Sequence, residues 1–209
     1  HYNHPQWLID RIQCAWPKHA KRIMAANLAR PPMTLRVNHR LISTADYLAR
    51  LQEQQISARA GNYAASPTNL EAPMKVTLLP GFDDGHVSVQ DEASQLAASV
   101  LAAEPGMFVL DTCAAPGGKT CHILESTSDL NLTALDLEAD RLNIVRDNLL
   151  RLRLQAICQA THLRYFAPAQ LFDRILLLSL ISATRFILLP PAITCLRPIS
   201  YSQTLLTSQ

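Results

Sequence analysis

Apolar residues between Pro5 and Ala29 recur at helical spacing, first Trp7, Leu8 and Ile12, then Ile23, Met24 and Leu28, with a break near Pro17. Two short helices are predicted. Pro31-Pro32 ends the second, because proline has no amide hydrogen to continue it. Met33 to Asn38 then alternates apolar and polar side chains, as a half-buried strand does. Ser43 with Asp46 resembles a capping box and opens a helix running through Gln54. Residues 60 to 74 are rich in Ala, Ser, Pro and Asn, which predicts a loop with at most one short strand. A turn at Pro80 to Gly85, a strand at His86 to Gln90 and a helix capped by Asp91 and reaching about Ala102 follow.

From Met107 the pattern becomes strand, glycine loop, helix, strand, helix: Met107 to Asp111, then Lys119 to Ser126, Leu130 to Asp136, and Glu138 to about Arg153. Such alternation specifies a parallel, doubly wound sheet, with Gln155 to Gln159 and Phe172 to Leu178 as later strands. The expected organisation is a small domain over 1–75, an α/β domain over 76–177 and a divergent tail over 178–209. Loss of sheet strands after the tail begins is expected to leave apolar edges along Val109 and Leu132.

Global charge adds little, since the formal net charge is +2. Its distribution adds more: no acid occurs between Asp10 and Asp46, while Arg11, Lys18, Lys21, Arg22, Arg30, Arg36 and Arg40 do, which suggests a phosphate-facing surface or a solvated helix face. The 5 cysteines lack a repeated short spacing, so neither a disulfide framework nor a zinc site is expected, and a reducing cytoplasm fits. The chain opens at His1 without a signal-peptide pattern and reads as a fragment. Its most apolar run, Ile175 to Leu189, is broken by Arg185 and falls short of the roughly 20 residues a bilayer requires.

The chemistry concentrates in Asp111-Thr112-Cys113-Ala114-Ala115-Pro116-Gly117-Gly118-Lys119-Thr120. An acid at a strand end, a glycine turn and a helix start let backbone amides approach a nucleotide-like cofactor. A phosphate-binding P-loop would need glycine where Cys113 stands, and Gly-x-Gly-x-x-Gly is absent. The string from Cys113 to Thr120 resembles the cofactor motif of the RNA cytosine-5 methyltransferases, the Sun/NOL/NOP family, and is most like that of its 16S ribosomal RNA members. His4-Pro5-Gln6-Trp7-Leu8, Asn27 with Arg30 to Asn38, and Leu79 to Gly85 followed by Val89-Gln90-Asp91 extend the resemblance over roughly residues 4 to 177.

The resemblance implies an RRM-like α+β domain followed by a truncated Rossmann-like sheet that uses S-adenosylmethionine, with 16S ribosomal RNA as partner, no metal, and a monomeric protein. It implies that Cys113, Ala114, Ala115, Pro116, Gly117, Gly118 and Lys119 wrap the cofactor, that Asp136 takes its ribose hydroxyls, and that His162 stands where the family places a third acid, able to hydrogen-bond adenine. Arg30 and Arg36 become candidate RNA contacts.

The family's reaction uses one cysteine thiolate to attack C6 of cytosine and a second to help release product. Its Asp-Ala-Pro-Cys-Ser is replaced here by Leu178-Ser179-Leu180-Ile181-Ser182, and Cys195 comes too early to be the nucleophile. No glycine follows Gly118, and no Asp, Glu or Lys occurs from Ile175 onward. The tail is therefore expected to be out-of-frame translation. By resemblance the chain is an S-adenosylmethionine-dependent methyltransferase acting on C5 of a cytosine in 16S ribosomal RNA; the alternative, favoured for the chain as it stands, is a catalytically inactive remnant that binds RNA or cofactor.

Overall fold

The computed structural model describes residues 4–29, 32–61, 64 and 67–177. Readings that fall on Arg30 and on 178–209, including Cys195, lie outside the described residues. The chain divides into two compact units. The described part of one is a pair of helices, α1 (Gln6–Ala15) and α2 (Ala20–Leu28), packed through Ile12, Ala20 and Met24 with Leu8, Ile9 and Ile23 against them. This is the predicted pair, with the break at Pro17. Arg11, Lys18, Lys21 and Arg22 are all exposed on it.

The other unit runs from Pro32, and its described residues form two four-stranded sheets. Strands β1 (Met33–Val37), β2 (Ala58–Ala60), β3 (Pro67–Leu70) and β4 (Val87–Val89) form an antiparallel sheet in the order β2-β3-β1-β4. Helix α3 (Thr44–Glu53) starts as predicted, with the Ser43 side chain accepting the Asp46 amide. Its Tyr47 and Leu51 join Leu35, Val37, Leu70, Leu79 and Val87 in one core. The segment expected to be a loop with at most one short strand holds one, β3, and starts at the last residue of β2, a strand the sequence pattern does not predict. β4 lies beyond the boundary expected near residue 75, yet it pairs with β1 through Leu35 and Val89, so the first sheet takes its edge from residues assigned to the second domain.

Helix α4 (Glu92–Leu101), capped by Asp91 as predicted, leads to the second sheet. Here β5 (Phe108–Asp111), β6 (Asn131–Asp136), β7 (Ile157–Ala160) and β8 (Arg174–Leu176) are parallel in the order β7-β6-β5-β8. Helices α5 (Gly118–Ser126) and α6 (Ala139–Arg151) cross between strands, burying Ile123, Leu124, Leu142, Val145 and Leu149 with Val109, Leu132 and Ala134. Val109 and Leu132 are 0% and 2% exposed, contrary to the expectation of apolar edges there. They sit on the two central strands; among the described residues the outer positions are β7 and β8, where Ile157 and Ile175 are exposed. Among the described residues, no helix is long and apolar enough to cross a membrane.

Burial also tunes one base. His122 on α5 has a buried Nδ1 with no hydrogen-bond partner, and burial first, then the charges of Arg36 and His39, push its pKa from 6.5 down to about 3. The folded value lies below the unfolded one, so the native state binds fewer protons. Stability from His122 is therefore fully present above pH 6.5 and is lost as pH falls toward about 3. Urea midpoints followed across this range should fall less steeply in His122→Gln than in the wild type; parallel slopes would refute the assignment.

Candidate functional site

In a parallel sheet all strands end on one side, and ligands settle where the chain order reverses. Here β6 and β8 flank β5 on opposite sides, so that point lies at the carboxyl ends of β5 and β8. Asp111 closes β5 and is 1% exposed. Thr120 Oγ1 donates to its Oδ2 at 2.7 Å, while Oδ1 is buried without a partner. Burial pushes the carboxyl above its usual range, with the Thr120 hydroxyl and nearby Cys113 amide acting against it. Thr112 ties this end to the neighbouring strand, its amide and hydroxyl both donating to Leu176 O at 3.0 and 3.1 Å.

The chain then turns through residues 113–117. Ala114 N donates to Leu135 O at 2.9 Å and Ala115 N to Asp136 Oδ2 at 3.1 Å, which hooks the loop onto the end of β6. Asp136 is 4% exposed. Its Oδ1 accepts from the Glu138 amide and from Arg141 Nη1, each at 3.3 Å. Arg141 Nη2 also donates to Ala115 O, and Asn148 Nδ2 donates to Pro116 O at 3.0 Å. Arg141, Val145 and Asn148 thus form one face of α6 that supports the loop, as their spacing on a helix allows.

Gly117 has φ +99°, a conformation side chains rarely adopt, and a Cβ there would stand 3.2 Å from Val145 Cα. Gly118 has open space where its Cβ would be, with only Gln90 Nε2 at 4.0 Å. Gly117→Ala is expected to destabilise the fold by about 1–3 kcal/mol, because strain and contact with backbone both oppose it. A shift in urea midpoint below the equivalent of about 0.5 kcal/mol would contradict that account.

The structure gathers most of the predicted residues. Ala114 and Gly117 are buried, Ala115, Gly118 and Lys119 half-buried, Cys113 and Pro116 exposed, and Asp136 meets the loop directly. His162 lies in the segment after β7, at the same edge of the sheet, where Thr161 N bonds Asp136 O. It is exposed, and its Nδ1 accepts the Arg164 amide at 3.1 Å. Arg36 does not face solvent as an RNA contact would. It is 1% exposed, and its guanidinium is occupied by Glu125, Gln90 and the Gly118 carbonyl. Sequence reasoning missed Thr120 on Asp111, Arg141 and Asn148; spacing from Val145 on α6 was the available signal for the last two. Among the described residues, no group of three or more His, Cys, Asp or Glu side chains could hold a metal ion.

Residues 4–77 match the family model for the RsmF/B-like methyltransferase ferredoxin-like domain. Residues 98–205, more than half of the chain, match the model for 16S rRNA methyltransferase RsmB/F. The chain belongs to the RsmB/F methyltransferase family. The RsmB/F match continues through most of the segment after Leu177. The chain is 48% identical over 198 residues to ribosomal RNA small subunit methyltransferase B of Pseudomonas putida, covering 93% of this chain and 45% of that protein. It is 43% identical over 203 residues to the probable enzyme of the same name from Coxiella burnetii, covering 94% and 47%. The chain thus spans about half the length of these curated relatives.

Among solved structures, a methyltransferase homolog from Pyrococcus horikoshii superposes with a TM-score of 0.70 at 30% identity, over 77% of this chain and 54% of the other. NSun6 from the same organism, solved with SFG, superposes with a TM-score of 0.80 over 100% of this chain and 78% of the other; at 17% identity it bears on the fold alone.

Proposed function

We propose that this RsmB/F chain binds S-adenosylmethionine at residues 113–119 and Asp136 and acts, as a monomer in the cytoplasm, in methylation of C5 of a cytosine in 16S ribosomal RNA. The observation that carries the reading is the buried Asp136 carboxylate fixed to the Ala115 amide beside the open backbone at Gly118. A carboxylate at a strand end has the lone pairs to accept two ribose hydroxyls. The bare glycine backbone leaves room for the remainder of the cofactor, and His162 stands at the same edge toward adenine. Once bound, the cofactor supplies an electrophilic methyl group.

Desolvation raises the thiol pKa values of Cys113, Cys121 and Cys158, that of buried Cys121 to about 12, which disfavours the thiolate that the family's nucleophile requires. For RNA, Arg11, Lys18, Lys21 and Arg22 replace Arg36 as phosphate contacts, being exposed and in a stretch without acids.

A second reading is favoured by one sequence observation: Leu178 to Ser182 stands where the resemblance calls for an acid and a cysteine, just after β8 leaves the side of Thr112. On that reading the chain holds cofactor or RNA and transfers no methyl group. Two measurements on the full chain separate the readings: calorimetric binding of S-adenosylhomocysteine, and transfer of labelled methyl to unmodified 16S RNA. Turnover supports the enzyme and refutes the remnant. Binding without turnover does the reverse, and absence of binding refutes the cofactor site itself.

A further inference from the structure

Arg36 belongs to β1 of the antiparallel sheet, yet its side chain reaches both ends of α5, the helix that begins at the cofactor loop. Nε and Nη2 grip Glu125 Oε2 and Oε1 at 2.8 and 2.7 Å, a two-pronged pairing near the end of α5. Nη1 donates at 2.6 Å to Gln90 Oε1 and at 2.7 Å to the carbonyl of Gly118, the first residue of α5. Arg36 is 1% exposed and the Glu125 side chain 5%, so water cannot readily replace either set of bonds.

Gly118 sits in open space, with no side chain of its own to fix it against neighbours. Its position is set on one side by the Gly117 turn over Val145 and on the other by the Arg36 hydrogen bond. We propose that Arg36 is a positioning residue for the cofactor site: it couples docking of the antiparallel sheet to the geometry of the 113–119 backbone, and so sets cofactor affinity from outside the pocket. The proposal rests on the reading of that loop as the S-adenosylmethionine site. It requires the planar, forked guanidinium, because a lysine ammonium keeps the charge beside Glu125 but cannot hold Glu125 and the Gly118 carbonyl at once.

The test compares the wild-type chain, Arg36→Lys and Ser43→Ala. Ser43→Ala removes the side-chain cap of α3, whose Tyr47 and Leu51 pack in the core of the antiparallel sheet, and lowers stability without removing any Arg36 hydrogen bond. The expected result is S-adenosylhomocysteine binding about ten-fold weaker in Arg36→Lys and unchanged in Ser43→Ala, together with displaced amide resonances for Gly117 and Gly118 in the lysine variant alone. Equal affinity in wild type and Arg36→Lys overturns the proposal while leaving the cofactor site standing. Failure of the wild type to bind overturns both. A second readout needs no variant: in wild-type chain labelled with nitrogen-15 at arginine, the Arg36 Nε–H resonance should move when S-adenosylhomocysteine is added. A resonance that stays in place under saturating binding overturns the proposal even if Arg36→Lys does not fold.

Discussion

Glu125→Ala is expected to destabilise the unit that begins at Pro32 by about 3–5 kcal/mol, read as a lowered urea midpoint. The Glu125 side chain is 5% exposed and is the described acid paired with Arg36, whose guanidinium is 1% exposed. Removing the carboxylate leaves the buried Arg36 guanidinium without its countercharge. The bonds to Gln90 and to the Gly118 carbonyl soften the loss but supply dipoles in place of a full countercharge. Replacing both partners together, Arg36→Met with Glu125→Leu, should recover much of the loss because no uncompensated charge remains. Against a typical total of about 5–15 kcal/mol, the single change alone brings the fold close to its limit. A cost below about 1 kcal/mol would place the pair in the weak class of surface ion pairs and contradict its burial.

That pair also shows where reading the chain stops. Positive charge on Arg36 is visible in the sequence, but whether it meets a phosphate or a carboxylate depends on Glu125, 89 positions away. Local signals carried much further: the caps at Ser43 and Asp91, the helix break at Pro17 and the strand-loop-helix order from β5 to α6 all rest on neighbours within a few residues. β2 escaped, and β3 could be allowed for only as one unplaced short strand, because Ala58-Arg59-Ala60 and Pro67-Thr68-Asn69-Leu70 are too short to show alternation and their pairing is decided across the sheet. Lateral strand order was equally hidden. Loss of the later strands predicts edges along Val109 and Leu132, whereas the order β7-β6-β5-β8 puts them in the middle. The acid at the end of β6 was legible because strand end and acid are adjacent in the chain; its support by Arg141 and Asn148 needed the packing of α6 on the loop.

Asp136→Asn is expected to weaken S-adenosylhomocysteine binding by about ten- to a hundred-fold, the equivalent of roughly 1.5–3 kcal/mol for hydrogen bonds to a charged acceptor. The substitution keeps the shape of the side chain but replaces one acceptor oxygen by a donor. Oδ2 now accepts the Ala115 amide and Oδ1 accepts Arg141 and the Glu138 amide, so either orientation of the new amide sets an N–H against an existing donor. One consequence falls on the ligand, which loses a charged acceptor for its hydroxyls. The other falls on the loop, whose hook at Ala115 is weakened. Separating them requires a ligand that lacks those hydroxyls. If Asp136 acts on the ribose, a dideoxyribose analogue of S-adenosylhomocysteine should bind the wild type weakly and the variant equally weakly. If Asp136 acts only through the loop, the analogue should lose as much affinity on substitution as the parent does. A variant that binds S-adenosylhomocysteine within two-fold of the wild type would remove Asp136 from the site altogether and, with it, the observation on which the functional reading stands.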